Sequence, residues 1–210
     1  VKLSRATIAR TGLELLKTTG LDGLTMRALA TELDVRAPTL YWHVKNKQDL
    51  LDAMADQIFD DARAGIQPLD PGQTWQDWLF AMGDRLHRAM LGYRDGARIY
   101  GGSYSRHPAV AESMELTLRV MRDGGLPLEH AARSFPVVLH YVVGFTIEQQ
   151  ARSGLAYDEP NPYGSDDFGS RIDPERHPLA AAVLPAIYEV SDDESFAHGL
   201  HVVIAGIAAT

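Results

Sequence analysis

The order of helix start and stop signals between Ser4 and Asn46 restricts this chain more than any other feature. Ser4 precedes an apolar-periodic run (Ile8, Leu13, Leu15, Leu16) that ends at Gly20. That pattern predicts a helix over 4–19 with glycine as its stop. Thr25 is a good N-cap for a second helix over 26–33. Asp34-Val35-Arg36 forms a tight turn, and Pro38 then falls in the first turn of a third helix, where its missing N–H costs nothing, ending near Val44. Asn46 caps a fourth helix, with Asp49 three residues on as its capping-box partner. Three short helices with a tight turn between the second and third match a helix-turn-helix unit. The third helix, about seven residues long, is too short to be stable alone and must be held by packing.

The fourth helix carries Leu50, Leu51, Met54, Ile58 and Phe59 on one stripe and leads out of this head. Beyond it, Thr74 opens a helix to about Gly92, and "YRDGARIYGG" over 93–102 reads as a turn-rich connector. Helices follow over 108–123, stopped by Gly124-Gly125, and over 127–153. The Gly-, Pro- and Asp-rich stretch 155–178 reads as a long loop. Two last helices are expected, over 178–190 and from Asp192 or Asp193 to the end. No segment shows strand alternation and no repeat is visible. The fold class is all-α, divided as a head at 1–46, a connecting helix at 47–64 and a body at 65–210.

The charge is divided the same way. The whole chain carries −8. Residues 1–47 hold eight Lys/Arg against four acids, leaving 12 bases and 24 acids for the rest. A basic head on an acidic body suits a polyanion-binding module attached to something else, although chance imbalance gives the same totals. There are no cysteines, which excludes disulfides and thiolate metal sites and suits a reducing compartment. No apolar run is long enough for a membrane span and no signal-type segment opens the chain, so a cytoplasmic location without membrane contact is expected. G-x-S-x-G, H-E-x-x-H and glycine-rich phosphate loops are all missing, so no enzyme is expected. His198 and His201 have i, i+3 spacing but no carboxylate in register.

Within "RAPTLYWHVKNK" (Arg36 to Lys47), Leu40 and Val44 share one face of the third helix. Thr39 and His43 share another, with Ala37 nearby. Tyr41 and Trp42 read alone as core aromatics, but core packing does not require Lys45 and Lys47 to follow directly. Together they describe a helix that enters a major groove, its first residues at base edges and its flanks at phosphates.

"LTMRALATELDVRAPTLYWHVKNKQDLLDAM" (Leu24 to Met54) resembles the DNA-binding domain of the tetracycline-repressor (TetR) family, and "PTLYWHVKNK" is nearly its signature string. "YRDGARI" (Tyr93 to Ile99) and "EQQ" (Glu148 to Gln150) resemble the regulatory domain of the tetracycline repressors. The resemblance implies that Arg27, Ala37, Pro38, Thr39, Tyr41, Trp42 and His43 face bases or the adjacent backbone, and that Thr25 and Lys47 contact phosphates. Where the tetracycline repressors carry Glu-Gln, this chain carries Arg36-Ala37. Glutamine reads adenine with two hydrogen bonds whereas alanine only touches a thymine methyl, so a different operator is expected. Arg36 is either a guanine or phosphate contact or a solvated turn residue.

The resemblance further implies a small-molecule sensor in the body. The tetracycline repressors bind a magnesium chelate through a histidine, whose position here is Tyr100, a poor magnesium ligand. Met82 and Leu86 stand where a polar clamp grips the drug. The expected effector site is Met82, Leu86, Tyr100, Ser103, Thr117, His140 and Glu148, suited to a flat, oxygenated aromatic or polyketide-like molecule rather than magnesium–tetracycline. No metal and no cofactor is expected. The segments "FPVVLHYVVGFTIEQQ" and "FAHGLHVVIAGIAAT" are apolar on most sides with small residues interspersed, which predicts a homodimer through a four-helix bundle. The expected function is a repressor that holds a palindromic double-stranded operator and is released by its effector. The alternative is a constitutive DNA-binding or architectural regulator with no inducer.

Overall fold

The structure, a computed structural model, describes residues 3–153 and 169–210. Most of the expected 155–178 loop lies outside the described residues. Among those described there are no strands. The described residues form ten helices: α1 (Arg5–Gly23), α2 (Met26–Glu32), α3 (Ala37–Leu40), α4 (Lys47–Arg63), α5 (Trp75–Leu91), α6 (Gly96–Gly101), α7 (Ala109–Asp123), α8 (Leu128–Arg152), α9 (Pro178–Tyr188) and α10 (Asp192–Ala208).

The head forms where its caps said it would. Ser4, Thr25 and Asn46 each accept the backbone N–H three residues on, at 3.1, 3.1 and 2.8 Å, each worth about 1 kcal/mol. Gly20 breaks α1 with φ 61°, a left-handed conformation that glycine adopts without steric cost. Ile8, Leu13, Leu29, Leu40 and Val44 are fully buried, so the short third helix is indeed held by its inward face.

Two local expectations are corrected here. The third helix is a single turn, Ala37–Leu40, continued by turns at residues 41–43 rather than to Val44. The Asn46 capping box is also one-sided. The Asp49 carboxylate accepts the Lys45 N–H at 2.7 Å and the Arg5 guanidinium at 2.7 Å, so it closes the α3–α4 junction and ties it to α1. Burial pushes the Asp49 pKa up, but the bonds from Lys45 and Arg5 outweigh it and hold it below the ordinary carboxylate value.

Helix α4 is the shared wall of head and body. It packs on α1 on one side and on α5 and α6 on the other. Leu50, Met54 and Ile58 are fully buried, whereas Leu51 and Phe59 are only partly so. The body stacks α5, α8 and α10 against one another, with α7 on α8 and α5. Within it His87 stacks on Phe196 with ring centroids 3.8 Å apart.

The connector at 93–102 is not mere turn: it contains α6. The Gln150 amide donates to the carbonyls of Met90 and Tyr93 at 3.2 and 2.8 Å, and its carbonyl accepts the Ala97 N–H at 3.0 Å. One side chain from α8 thus joins the end of α5 to the start of α6. Gly96 belongs there because a Cβ would strike the Met90 carbonyl.

Helices α8 and α10 each leave one apolar stripe uncovered. On α8, Val137, His140, Gly144 and Ile147 are exposed, and on α10, His198, Val202 and Ala205. Val137 and Val202 are 48% and 58% exposed. The two helices run antiparallel, since Tyr141 donates to the Phe196 carbonyl at 2.9 Å and His130 meets the Ile207 carbonyl at 3.1 Å. Helix α9 buries none of its described side chains, and Leu179 is 83% exposed. No helix among the described residues is long and apolar enough to cross a membrane.

Candidate functional site

The head presents one polar, basic surface. Thr25, Arg27, Arg36, Pro38, Thr39, Tyr41, Trp42, Lys45 and Lys47 are exposed, and Ala37 and His43 are partly so. Trp42 is 87% exposed. An indole left in water by its own fold points to a surface that meets another molecule. Arg27, Arg36 and Lys45 make no ion pair with the described residues, which leaves their charge for a polyanion. The Thr25 hydroxyl oxygen accepts the Ala28 N–H and keeps its own proton to donate. The Lys47 ammonium donates to the Leu21 carbonyl at 3.2 Å, which holds it beside the α1–α2 turn with further N–H groups free to meet a phosphate.

In the body a cavity of about 360 Å³ opens between α4, α5, α6, α7 and α8. Met82, Leu86, Tyr100 and Thr117 line it together. Thr117 donates its hydroxyl to the Ser113 carbonyl at 2.8 Å and contributes chiefly its methyl. The Tyr100 hydroxyl has no partner among the described residues. Burial pushes its pKa above the ordinary phenol value, so it is a neutral donor.

Three expected residues are placed elsewhere. His140 is exposed on the outer stripe of α8, because it lies about 200° around the helix from buried Val138. Glu148 is exposed for the same reason of phase, and it pairs with Arg152 at 3.1 Å. Ser103 lies beyond α6 outside the lining, its hydroxyl buried and without a partner. In their place the cavity takes Phe59 and Arg63 from α4, Trp78 from α5, Glu112 from α7, and Phe135 and Leu139 from α8. The sequence carried one usable sign of this, since Phe59 continues the α4 stripe to its C-terminal end. No group of three or more His, Asp or Glu among the described residues is placed to hold a metal ion.

A wider, open cleft of about 970 Å³ lies where the last turn of α1 meets α6 and the end of α8. Its guanidinium groups are engaged: Arg98 with Asp95 at 3.0 Å, Arg152 with Asp192 at 2.6 Å, and Arg94 with the Lys17 carbonyl at 3.4 Å. It reads as the seam between head and body.

That seam continues along α4. Asp52 accepts the Tyr104 N–H at 3.2 Å, Asp56 accepts the Ser105 hydroxyl at 2.6 Å, and Asp60 faces His107 at 3.4 Å. Three carboxylates one turn apart hold the segment after α6 against the connecting helix.

Comparison with known proteins accounts for both halves. Residues 8–54 match the family of bacterial regulatory proteins called tetR, and residues 67–210 match the tetracyclin repressor-like C-terminal domain. The tetracycline repressor protein class C of Escherichia coli is 35% identical over 206 residues, covering 98% of this chain and 91% of that protein. A possible TetR family transcriptional regulator from Streptomyces coelicolor A3(2) superposes with a TM-score of 0.87 at 31% identity, covering 98% and 99% of the two chains. The Streptomyces coelicolor TetR family protein ActR, solved in complex with actinorhodin, superposes with a TM-score of 0.84 at 30% identity, covering 100% and 97%.

Proposed function

Because the chain belongs to the TetR family of bacterial regulatory proteins, whose members are DNA-binding regulators and not enzymes, we propose that it is a repressor released from its operator by an aromatic or polyketide-like effector. The observation that carries this reading is the span of α4. Its first residue, Lys47, flanks the reading surface, and its last turns, at Phe59 and Arg63, form a wall of the cavity. An effector that fills the cavity therefore presses on the helix that bears the head.

The free protein is a homodimer in this reading. The uncovered stripes on α8 and α10 are paired with those of a second copy, giving a four-helix bundle. Two-fold symmetry then sets the two heads on a palindromic operator, with half-sites about 34 Å apart or a multiple of it. Thr25, Arg27, Lys45 and Lys47 hold the backbone. Ala37, Pro38, Thr39, Tyr41, Trp42 and His43 meet base edges, with alanine at 37 favouring a thymine methyl. Arg36, exposed at the N-cap of α3, extends toward the duplex.

Release proceeds through two contacts. The effector touches Tyr100 on α6 and Phe59 on α4 together, and Asp95 at the start of α6 and Lys47 at the start of α4 both hold Leu21 in the last turn of α1. Seating the effector shifts the head spacing away from that of successive major grooves. By linkage, operator binding weakens effector binding by the same factor. The apolar character of Met82 and Leu86 favours an aromatic effector over a metal chelate. ActR of Streptomyces coelicolor is a relative solved in complex with a small molecule, actinorhodin. Isothermal titration with actinorhodin and with magnesium–tetracycline tests the choice. Binding of the chelate alone would refute it.

A further inference from the structure

We propose that Arg63 makes the cavity selective for effectors that carry an anionic group, a carboxylate or sulfonate on an aromatic frame. The inference rests on the cavity reading above and specifies its ligand further.

Arg63 is the last residue of α4 and lines the cavity wall. Its Nε donates to Asp60 Oδ1 at 3.1 Å, which fixes the guanidinium plane. The two terminal nitrogens make no hydrogen bond with the described residues, so the outer fork of the group is left open. The other Asp60 oxygen faces His107 at 3.4 Å, so this carboxylate is divided between two partners. A guanidinium held on one edge and open on the other matches a carboxylate or sulfonate with two parallel bonds.

The rest of the lining decides the sign of the ligand. Its walls are apolar at Met82, Leu86 and Phe135, and its uncharged donors include the Tyr100 hydroxyl. The other charged lining residue, Glu112, is exposed in the first turn of α7, where solvent screens it and the helix N-terminus favours its charge. Arg63 is half-buried, its side chain 36% exposed. A ligand anion at Arg63 therefore meets a preset, partly desolvated partner, whereas a ligand cation at Glu112 would meet a solvated one. At about 360 Å³ the cavity takes a fused or linked two- to three-ring molecule.

The test uses two fluorescent probes with the same ring systems, 1-anilinonaphthalene-8-sulfonate and the uncharged N-phenyl-1-naphthylamine, with quenching of Trp78 reporting that they sit in the cavity. The wild-type protein is expected to bind the sulfonate roughly tenfold tighter than the neutral probe, as a charge-assisted pair gives. Arg63→Gln should remove that preference and leave the neutral probe within about twofold. Arg63→Lys keeps the charge, loses the fork, and should fall between. Equal affinities in the wild type, or an equal loss for both probes in Arg63→Gln, would overturn the proposal while sparing the cavity. Failure of either probe to quench Trp78 would remove the cavity reading and this inference with it. The wild-type comparison alone decides the matter if Arg63→Gln does not fold.

Discussion

The backbone N–H of Leu21 donates to the Asp95 carboxylate at 2.9 Å, which ties the last turn of α1, past its break at Gly20, to the N-cap residue of α6. Asp95 itself has φ 58°, a left-handed conformation unusual outside glycine and asparagine or aspartate. The Lys47 ammonium reaches the Leu21 carbonyl from α4, and the Arg94 guanidinium fills the space that a Cβ at Gly20 would need. One turn of the head is thus gripped from α4 and α6, two of the helices that line the cavity.

Asp95→Ala should break this grip. It leaves the Leu21 N–H unpaired and forces alanine into the left-handed region, a loss of about 1–3 kcal/mol in urea unfolding. Asp95→Gly removes the bond but relaxes the backbone, so it should recover part of that stability and none of the coupling. Effector response would be read by operator anisotropy in both variants. A normal response in Asp95→Gly would show that the joint does not transmit.

Tyr100→Phe should separate binding from folding. The hydroxyl has no partner among the described residues, so stability should change by less than about 0.5 kcal/mol. An oxygenated effector should lose roughly five- to tenfold in affinity by titration calorimetry, one neutral hydrogen bond. Unchanged affinity would place the ligand's polar edge elsewhere.

Trp42→Ala tests the reading surface. The indole is 87% exposed, so thermal stability should hold while operator affinity falls. Lys47→Ala should instead lower affinity for every sequence and flatten the salt dependence by about one phosphate contact. A melting temperature that drops in Trp42→Ala with affinity intact would return Trp42 to an ordinary packing role.

His87 gives the body a pH dependence. Thr146 donates its hydroxyl to the Val142 carbonyl at 2.6 Å, so the His87 Nδ1 must carry the proton and donate to Thr146 Oγ1, 2.9 Å away. Nε2 is then a bare acceptor, buried and without a partner among the described residues. Burial lowers the His87 pKa. With the folded value below the unfolded one, the unfolded chain binds the proton first as pH falls. Stability contributed by neutral His87 is therefore intact above the unfolded pKa of about 6.5 and declines as pH drops below it. His87→Phe keeps the stack on Phe196 and should flatten that decline between pH 7.5 and 5.5 in urea titrations. An unchanged slope would assign the pH dependence to other groups.

The head was legible in sequence because its signals are local. Ser4, Thr25 and Asn46 act on N–H groups three residues away, and Gly20 acts on its own backbone. Helix α6 was not legible because its first turn is capped by Gln150, 53 residues on, and nothing within 93–102 announces it. Asp49 misled for a related reason: Lys45 and Arg5 compete for the carboxylate that a capping box would use. Met82, Leu86 and Tyr100, named by their match to the family's positions, fell in the cavity lining. His140 and Glu148 did not. Helix α8 is apolar on two faces, one toward the core and one uncovered, so hydrophobicity alone could not fix its phase. Arg63 was passed over because an arginine at a helix end looks like solvated charge until the fold sets it in the cavity lining.

The central claim is that the cavity and the reading surface are two ends of one helix. Its most direct test is an anisotropy titration of a selected operator duplex with the purified protein, with and without saturating actinorhodin, paired with the reverse titration of actinorhodin in the presence of operator. The account predicts that the ligand weakens operator binding at least roughly tenfold and that operator weakens ligand binding by the same factor. Unchanged operator affinity with the cavity demonstrably full would contradict it.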